Sequence, residues 1–470
     1  MEKIRRLRRI RVPAKASLWY IISGAVARSV GVVGTPLFTR LLTPEEYGLY
    51  PLFNTWLGVV TVLATLELTG GFIYRGLLRF ENRKEEFLSS ATALMLISFG
   101  TVSILYLLLH NQINSLTRLS TGVSIMLLLQ VLSNAVLAFY TAGARYRYKY
   151  KTVALINILS AILNPIISVG IINLTPIRAE ARIIGGVLVG LAVAIPLGVV
   201  IFIKGRRFFS REIWVYLLRH TLPLLPHYLS MSIILRAGEI WVGKIYGQGA
   251  LGKYSVAMSL GLSMTMITGG LISALSPWMM RKLRDGYDGE ISSLLLYLCR
   301  GVGLGALLIL SVAPEVLSII TPADYHDAIS AVYPLALTVI PMFLSSAVIS
   351  AQMYFEKSGV TALPSVIAAF VSMALSAIAL PYLPYTAAGI FSLIAYLVLS
   401  FLNLLGYKRV AGKYPVDLGA VARTIILIST YALLLYFMRD VFISRILLAM
   451  PILPPLVLIG LNVFKRIKEK

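Results

Sequence analysis

Four ionisable residues, Arg28, Glu67, Arg236 and Glu239, stand inside long apolar stretches. A charge at the centre of a bilayer costs about 2.5–3.5 kcal/mol on insertion scales, so such residues face a cavity or a partner. A guanidinium presents forked donors that match two oxygens of a phosphate or carboxylate. A neighbouring carboxylate either orients that fork or holds a small cation such as H+ or Na+. Arg236 and Glu239 lie three residues apart, so on one helix they can also neutralise each other. Arg28 and Glu67 offer the same pairing between adjoining helices. The chemistry on offer is therefore anion binding or internal ion pairing. Other chemistries lack their residues. Cys299 is the one cysteine, which excludes a disulfide framework and a multi-thiolate zinc site. His110, His220, His227 and His326 have no metal-ligand spacing. No Gly-x-x-x-x-Gly-Lys-[Ser/Thr] run is present to cradle a nucleotide. No cofactor or metal is expected.

The elements that must position these residues follow from composition. The chain has 470 residues, 58% hydrophobic and 13% charged, with mean hydropathy +0.83. Soluble proteins carry about 25% charged residues, so this one is neither an ordinary soluble domain nor disordered. A bilayer core needs roughly 20 apolar residues in a helix. Fourteen such stretches are read, near 17–38, 47–73, 86–109, 121–143, 152–173, 183–203, 221–246, 253–280, 291–313, 329–355, 361–380, 385–407, 419–437 and 442–463. The expectation is an all-α polytopic membrane protein. The basic N-terminal segment runs into a first stretch of full span length, which reads as a membrane helix and not as a cleavable leader. Eleven residues into that span, Arg28 is placed about 16 Å deep, near the midplane.

Formal net charge is +23. With the N-terminus inside, 31 of the 43 Lys and Arg fall in inner segments and 8 in outer ones. This loop-by-loop alternation predicts cytoplasmic N- and C-termini in the cell membrane. It accounts for the basic pI through contact with anionic membrane lipids, without nucleic acid. The longest connection, about 204–220, has the pattern of an amphipathic interfacial helix, with Phe208, Phe209, Ile213, Trp214, Leu217 and Leu218 as its apolar side.

The segment Arg40-Leu-Leu-Thr-Pro-Glu-Glu-Tyr-Gly-Leu-Tyr50 after the first span matches Lys244-Ile-Tyr-Gly-Gln-Gly-Ala-Leu-Gly-Lys-Tyr254 after the seventh. Arg40/Lys244, Leu41/Ile245, Gly48/Gly252 and Tyr50/Tyr254 share an offset of 204. Thr69-Gly70-Gly71 and Thr268-Gly269-Gly270 follow in corresponding places, at an offset of 199. Two parallel six-helix lobes around a central cavity are expected. The lobes are read as 1–215 and 216–408, with an additional helix pair at 409–470. Under the larger offset Arg28 maps to Ser232, one turn before Arg236 on the same face. With both lobes in one chain, a monomer is expected.

The stretch Thr39-Arg-Leu-Leu-Thr-Pro-Glu-Glu-Tyr-Gly-Leu-Tyr50 resembles the first outer loop of the polysaccharide (O-antigen type) flippases, in the multidrug/oligosaccharidyl-lipid/polysaccharide exporter superfamily. Gly247-Gln-Gly-Ala-Leu-Gly-Lys-Tyr-Ser-Val-Ala257 resembles the second-lobe equivalent, and Gly70-Gly-Phe-Ile-Tyr-Arg75 the glycine-rich end of the second helix. The resemblance implies a transporter, not an enzyme. It would move a lipid-linked sugar diphosphate from the inner to the outer leaflet by alternating access. Arg28, Arg236, Glu67 and Glu239 are then the substrate-binding candidates, and His227, Tyr74 and Arg75 candidates for coupling or gating. Two rival readings remain. One is a cation-coupled multidrug exporter of the same superfamily, supported by Glu67 and Glu239. The other is a polytopic prenyl-phosphate-sugar glycosyltransferase using Glu45 or Glu46.

Overall fold

The computed structural model describes residues 19–468, apart from residues 20, 21, 25, 27, 28, 32, 71, 287 and 356–358. Every regular element among the described residues is an α-helix or a short 3-10 turn. Lipid leaves no backbone group free to bond water, so a spanning chain must satisfy its own amides within each helix. Twelve segments among the described residues are long and apolar enough to cross a membrane. One of them, Arg211–Arg284, contains two of the fourteen expected spans. The first expected span falls partly outside the described residues, and its residues 33–38 are helical.

The chain divides into two compact units, Met1–Leu229 and Ser230–Lys470. The first contains α1 (Pro44–Thr65), α2 (Phe72–Arg79), α3 (Lys84–Leu108), α4 (His110–Thr117), α5 (Thr121–Tyr146), α6 (Tyr150–Leu174), α7 (Arg178–Gly205) and α8 (Arg211–Thr221). Phe87, Leu88 and Met95 of α3 form its core with Phe139 of α5 and Ile73 and Leu77 of α2. The helix α8 forms where an amphipathic helix is expected, but its apolar side is divided. Ile213 and Leu217 are buried in this same core, and the Trp214 indole donates to the Ser90 carbonyl at 3.0 Å. Phe208 and Phe209, which precede the helix, are exposed. The helix therefore packs on protein through the residues expected to lie in the interface. The apolar surface on α3 that receives them lies more than a hundred residues earlier in the chain, and periodicity alone does not reveal that contact.

The second unit holds most of α9 (Leu225–Gly261), then α10 (Thr265–Arg284), α11 (Asp288–Ile320), α12 (Ile329–Gln352), α13 (Gly359–Ala379), α14 (Ala388–Ala411), α15 (Leu418–Phe437), α16 (Phe442–Ala449) and α17 (Leu453–Lys468). Its most buried span is α12, packed along α14. Between them the Asn403 amide donates to Ser345 Oγ at 2.8 Å, and the Gln352 amide to the Asn403 carbonyl at 2.8 Å. Hydrogen bonds of this kind supply cohesion where lipid removes the hydrophobic drive between helices. Charges at Arg439, Asp440 and Arg445 interrupt the last apolar pair in the sequence, yet the helices form. Arg445 is 2% exposed and meets Glu315 of α11 in a bidentate pair while donating to the Ser311 carbonyl at 2.7 Å.

Candidate functional site

In the first unit the candidate carboxylate sits on a helix break. α1 stops at Thr65, and Leu66 and Glu67 both take the left-handed conformation, with φ of 50° and 48°. Each left-handed non-glycine residue costs roughly 1–2 kcal/mol. The turn is held by Thr65 Oγ1, which accepts from the Glu67 amide at 3.2 Å, and by the Gly70 amide donating to the Glu67 carbonyl at 2.9 Å. The chain resumes as α2 at Phe72. Strain of this kind, paid for by surrounding structure, concentrates at functional and switching positions. A Cβ on Gly70 would lie 3.1 Å from the Glu67 carbonyl oxygen and 3.4 Å from the Tyr228 hydroxyl. Glycine thus lets the turn approach the first turns of α9. There Tyr228 neighbours the buried His227, with ring centroids 5.5 Å apart. The structure therefore brings Glu67 into the neighbourhood of the His227–Tyr228 pair.

Tyr74 and Arg75 lie on α2, turned away from its buried residues Ile73, Gly76 and Leu77. Both are exposed, and the Arg75 guanidinium stands 5.4 Å over the Phe72 ring. Arg28 lies outside the described residues.

In the second unit Arg236 and Glu239 share one face of α9. Arg236 Nη1 is 3.7 Å from Glu239 Oε2. That separation is a charge contact too long for a hydrogen bond. The Arg236 side chain keeps 23% of its surface exposed, against 5% for Glu239. The pairing expected from the i, i+3 spacing is real, and the guanidinium remains accessible beside it. On the same helix a Cβ on Gly238 would lie 2.7 Å from the Tyr254 hydroxyl. Tyr254 is fully buried, with Glu239 and Ser392 around its hydroxyl. In sequence Tyr254 is marked only by its match to Tyr50, and its packing against Gly238 emerges from the fold.

The two matched motifs make different junctions. Thr43 caps α1 in a reciprocal box: Thr43 Oγ1 accepts from the Glu46 amide at 3.2 Å, and Glu46 Oε2 from the Thr43 amide at 2.9 Å. Arg178 of α7 donates to the Leu41 carbonyl, and Arg182 stacks on three rings, 4.3 Å from Phe38, 4.7 Å from Tyr47 and 3.7 Å from Tyr50. The motif is thereby clamped to α7 through cation–π contacts. In sequence Arg182 is one of eight outer charges; only the three aromatic residues at 38, 47 and 50 hint at a cage. The second motif turns at Gly247 alone, at φ 84° and ψ −177° within an otherwise helical run. Among the described residues no cluster of three or more His, Cys, Asp or Glu side chains can hold a metal ion.

These helices build the fold of multi-pass membrane transporters in the MOP superfamily. An inward-facing multidrug resistance MATE family transporter of that superfamily superposes with a TM-score of 0.66 at 16% identity, over 83% of this chain and 98% of that one. An outward-facing multidrug resistance MATE transporter gives 0.57 at 17% identity, over 85% and 96%. A Pyrococcus furiosus MOP superfamily transporter, for which reversed polarity of the binding pocket suggests a different function, gives 0.56 at 17% identity, over 85% and 96%. No curated protein matches the chain by sequence. The sequence profile of the family described as polysaccharide biosynthesis protein matches residues 14–282, more than half of the chain, and the chain belongs to that family.

Proposed function

We propose that this transporter moves a lipid-diphosphate-linked oligosaccharide from the inner to the outer leaflet of the cell membrane by alternating access. The observation that carries the reading is Arg236. It is a guanidinium in the body of a membrane helix, accessible and joined to its nearest carboxylate only by a 3.7 Å contact. Such a fork suits a diphosphate. Arg28 of the first lobe is its counterpart, with Glu67 and Glu239 orienting the two forks. His227, Tyr74 and Arg75 gate or couple the movement. The lobes are 1–215 and 216–408, followed by the helix pair 409–470, and the protein acts as a monomer with both termini in the cytoplasm. A potential negative inside favours outward transit of an anion by about 2.3 kcal/mol per charge per 100 mV, so no coupling ion is required. H+ or Na+ at Glu67 or Glu239 is the alternative drive.

Membership of the polysaccharide biosynthesis family supports a sugar-linked substrate over a drug. The cation-coupled multidrug exporter is the second reading, favoured by the multidrug transporters that share the fold. The Pyrococcus furiosus transporter ties reversed pocket polarity to a different function. We read the arginine-bearing helices here in the same sense. Glu46 has a structural role already, since it closes the capping box with Thr43. The test is expression in a strain lacking its own lipid-linked oligosaccharide flippase. Restored surface polysaccharide is the expected result. Drug efflux without polysaccharide export would contradict the reading.

A further inference from the structure

The turn between the short helix α2 and α3 stands at the start of the apolar segment Glu81–Leu108, which is long enough to cross a membrane, and the end of such a segment lies at the level of lipid headgroups. Leu78, Arg79, Glu81, Asn82 and Arg83 of this turn, with Glu212 of α8, line an open recess of about 410 Å³. Tyr216, an aromatic of the kind that settles at membrane–water interfaces, stands beside it. The Arg79 guanidinium lies 5.0 Å over the Tyr216 ring, and among the described residues it has no carboxylate partner. Arg83 donates to Glu212 Oε2 at 2.7 Å. The second oxygen of Glu212 still has acceptor capacity. Glu81 forms a further acidic wall near Tyr146.

The recess therefore has two guanidiniums and two carboxylates, all with exposed surface. A simple anion would meet the carboxylates, and a simple cation would meet the arginines. A ligand with a phosphate at one end and an ammonium at the other satisfies both walls. The ammonium must carry N–H donors, because a carboxylate accepts hydrogen bonds and a trimethylated nitrogen offers none. Leu78 is 62% exposed at the lip, where an acyl chain would pass.

We propose that this recess binds the headgroup of phosphatidylethanolamine. Its phosphate bonds Arg79 and Asn82, and its ammonium bonds Glu81 and the second oxygen of Glu212. The bound lipid would tie α8 to the α2–α3 turn, beside the ion pair already there. The inference is independent of the transported substrate.

The test uses the full chain reconstituted in vesicles of equal phosphatidylethanolamine, phosphatidylglycerol and phosphatidylcholine. Lipid retained after gentle extraction is then counted by native mass spectrometry. Phosphatidylethanolamine should be retained several-fold above the other two. Arg79→Gln should lower its retention about tenfold, the loss of one charge-assisted bond. Glu212→Gln and Glu81→Gln, on the opposite wall, should each reduce the preference over phosphatidylcholine, and they stand in for Arg79→Gln should that variant fail to fold. Retention of phosphatidylglycerol above phosphatidylethanolamine would overturn the proposal in favour of a plain anionic patch. Equal retention of all three lipids, or retention unchanged in folded Arg79→Gln, would overturn it outright.

Discussion

The helix that follows each matched motif is interrupted, and the two interruptions differ in chemistry. After the first motif the break opens at residues 66–70 and puts two left-handed residues, Leu66 and Glu67, at the interruption. After the second motif it is a tight 3-10 turn, Leu262–Met264, with no ionisable side chain. Gly70 sits within the first break, against Glu67 and Tyr228. Gly269 and Gly270 lie beyond the second break, inside α10, with nothing near their missing side chains. The second unit instead keeps its carboxylate, Glu239, beside Arg236 on the regular run of α9 that precedes the turn at Gly247. Two stretches matched in sequence thus need not share their chemistry. The strained turn serves the carboxylate in one half, and a regular helix serves it in the other.

Four expectations sharpen or break this contrast. The largest concerns Arg236. Arg236→Ala should lower export about a hundredfold, the loss of two charge-assisted bonds to one phosphate group, and Arg236→Lys about tenfold, because an ammonium keeps the charge without the fork. Export assays in the flippase-deficient strain measure both. Undiminished export in Arg236→Ala would place the anion site elsewhere.

The second concerns the junctions. Gly247→Ala forces a Cβ into a conformation reserved for glycine and should cost about 1–3 kcal/mol. Thr43→Ala removes one arm of the capping box and should cost about 1 kcal/mol. Unfolding of the purified protein in detergent compares them. The third targets the strained break. Asparagine tolerates the left-handed region, so Glu67→Asn should raise stability by up to about 1 kcal/mol while lowering export. A gain in stability with full export would leave the Glu67 carboxylate without a role in transport. The smallest effects are opposite in sign. Gly70→Ala should destabilise by about 1 kcal/mol, since the Glu67 backbone must give way. Gly270→Ala should stabilise by about 0.5–1 kcal/mol, as alanine does in an open helical position.

What could be read from the sequence follows from what each feature depends on. The spans were legible because lipid imposes length and polarity on every helix separately. The cap at Thr43 was legible in outline, since Thr-Pro-Glu-Glu is a local signal. The break at Leu66–Glu67 was not, because neither residue is one that ordinarily takes a left-handed turn. Arg445 reads as a loop charge until its partner Glu315, 130 residues earlier, is placed against it. Arg182 likewise acquires meaning only when Phe38, Tyr47 and Tyr50 converge on it. Arg236 with Glu239 was visible from spacing, but the accessibility of the guanidinium required coordinates.

Binding of a prenyl-diphosphate oligosaccharide to the purified protein, compared with Arg236→Gln and Arg28→Gln, tests the central claim most directly. Glutamine keeps the length and polarity of the side chain and removes its charge. Affinity falling about tenfold or more in each variant, with thermal stability preserved, is the predicted result. Equal affinity in wild type and both variants would contradict a diphosphate site built on these two arginines.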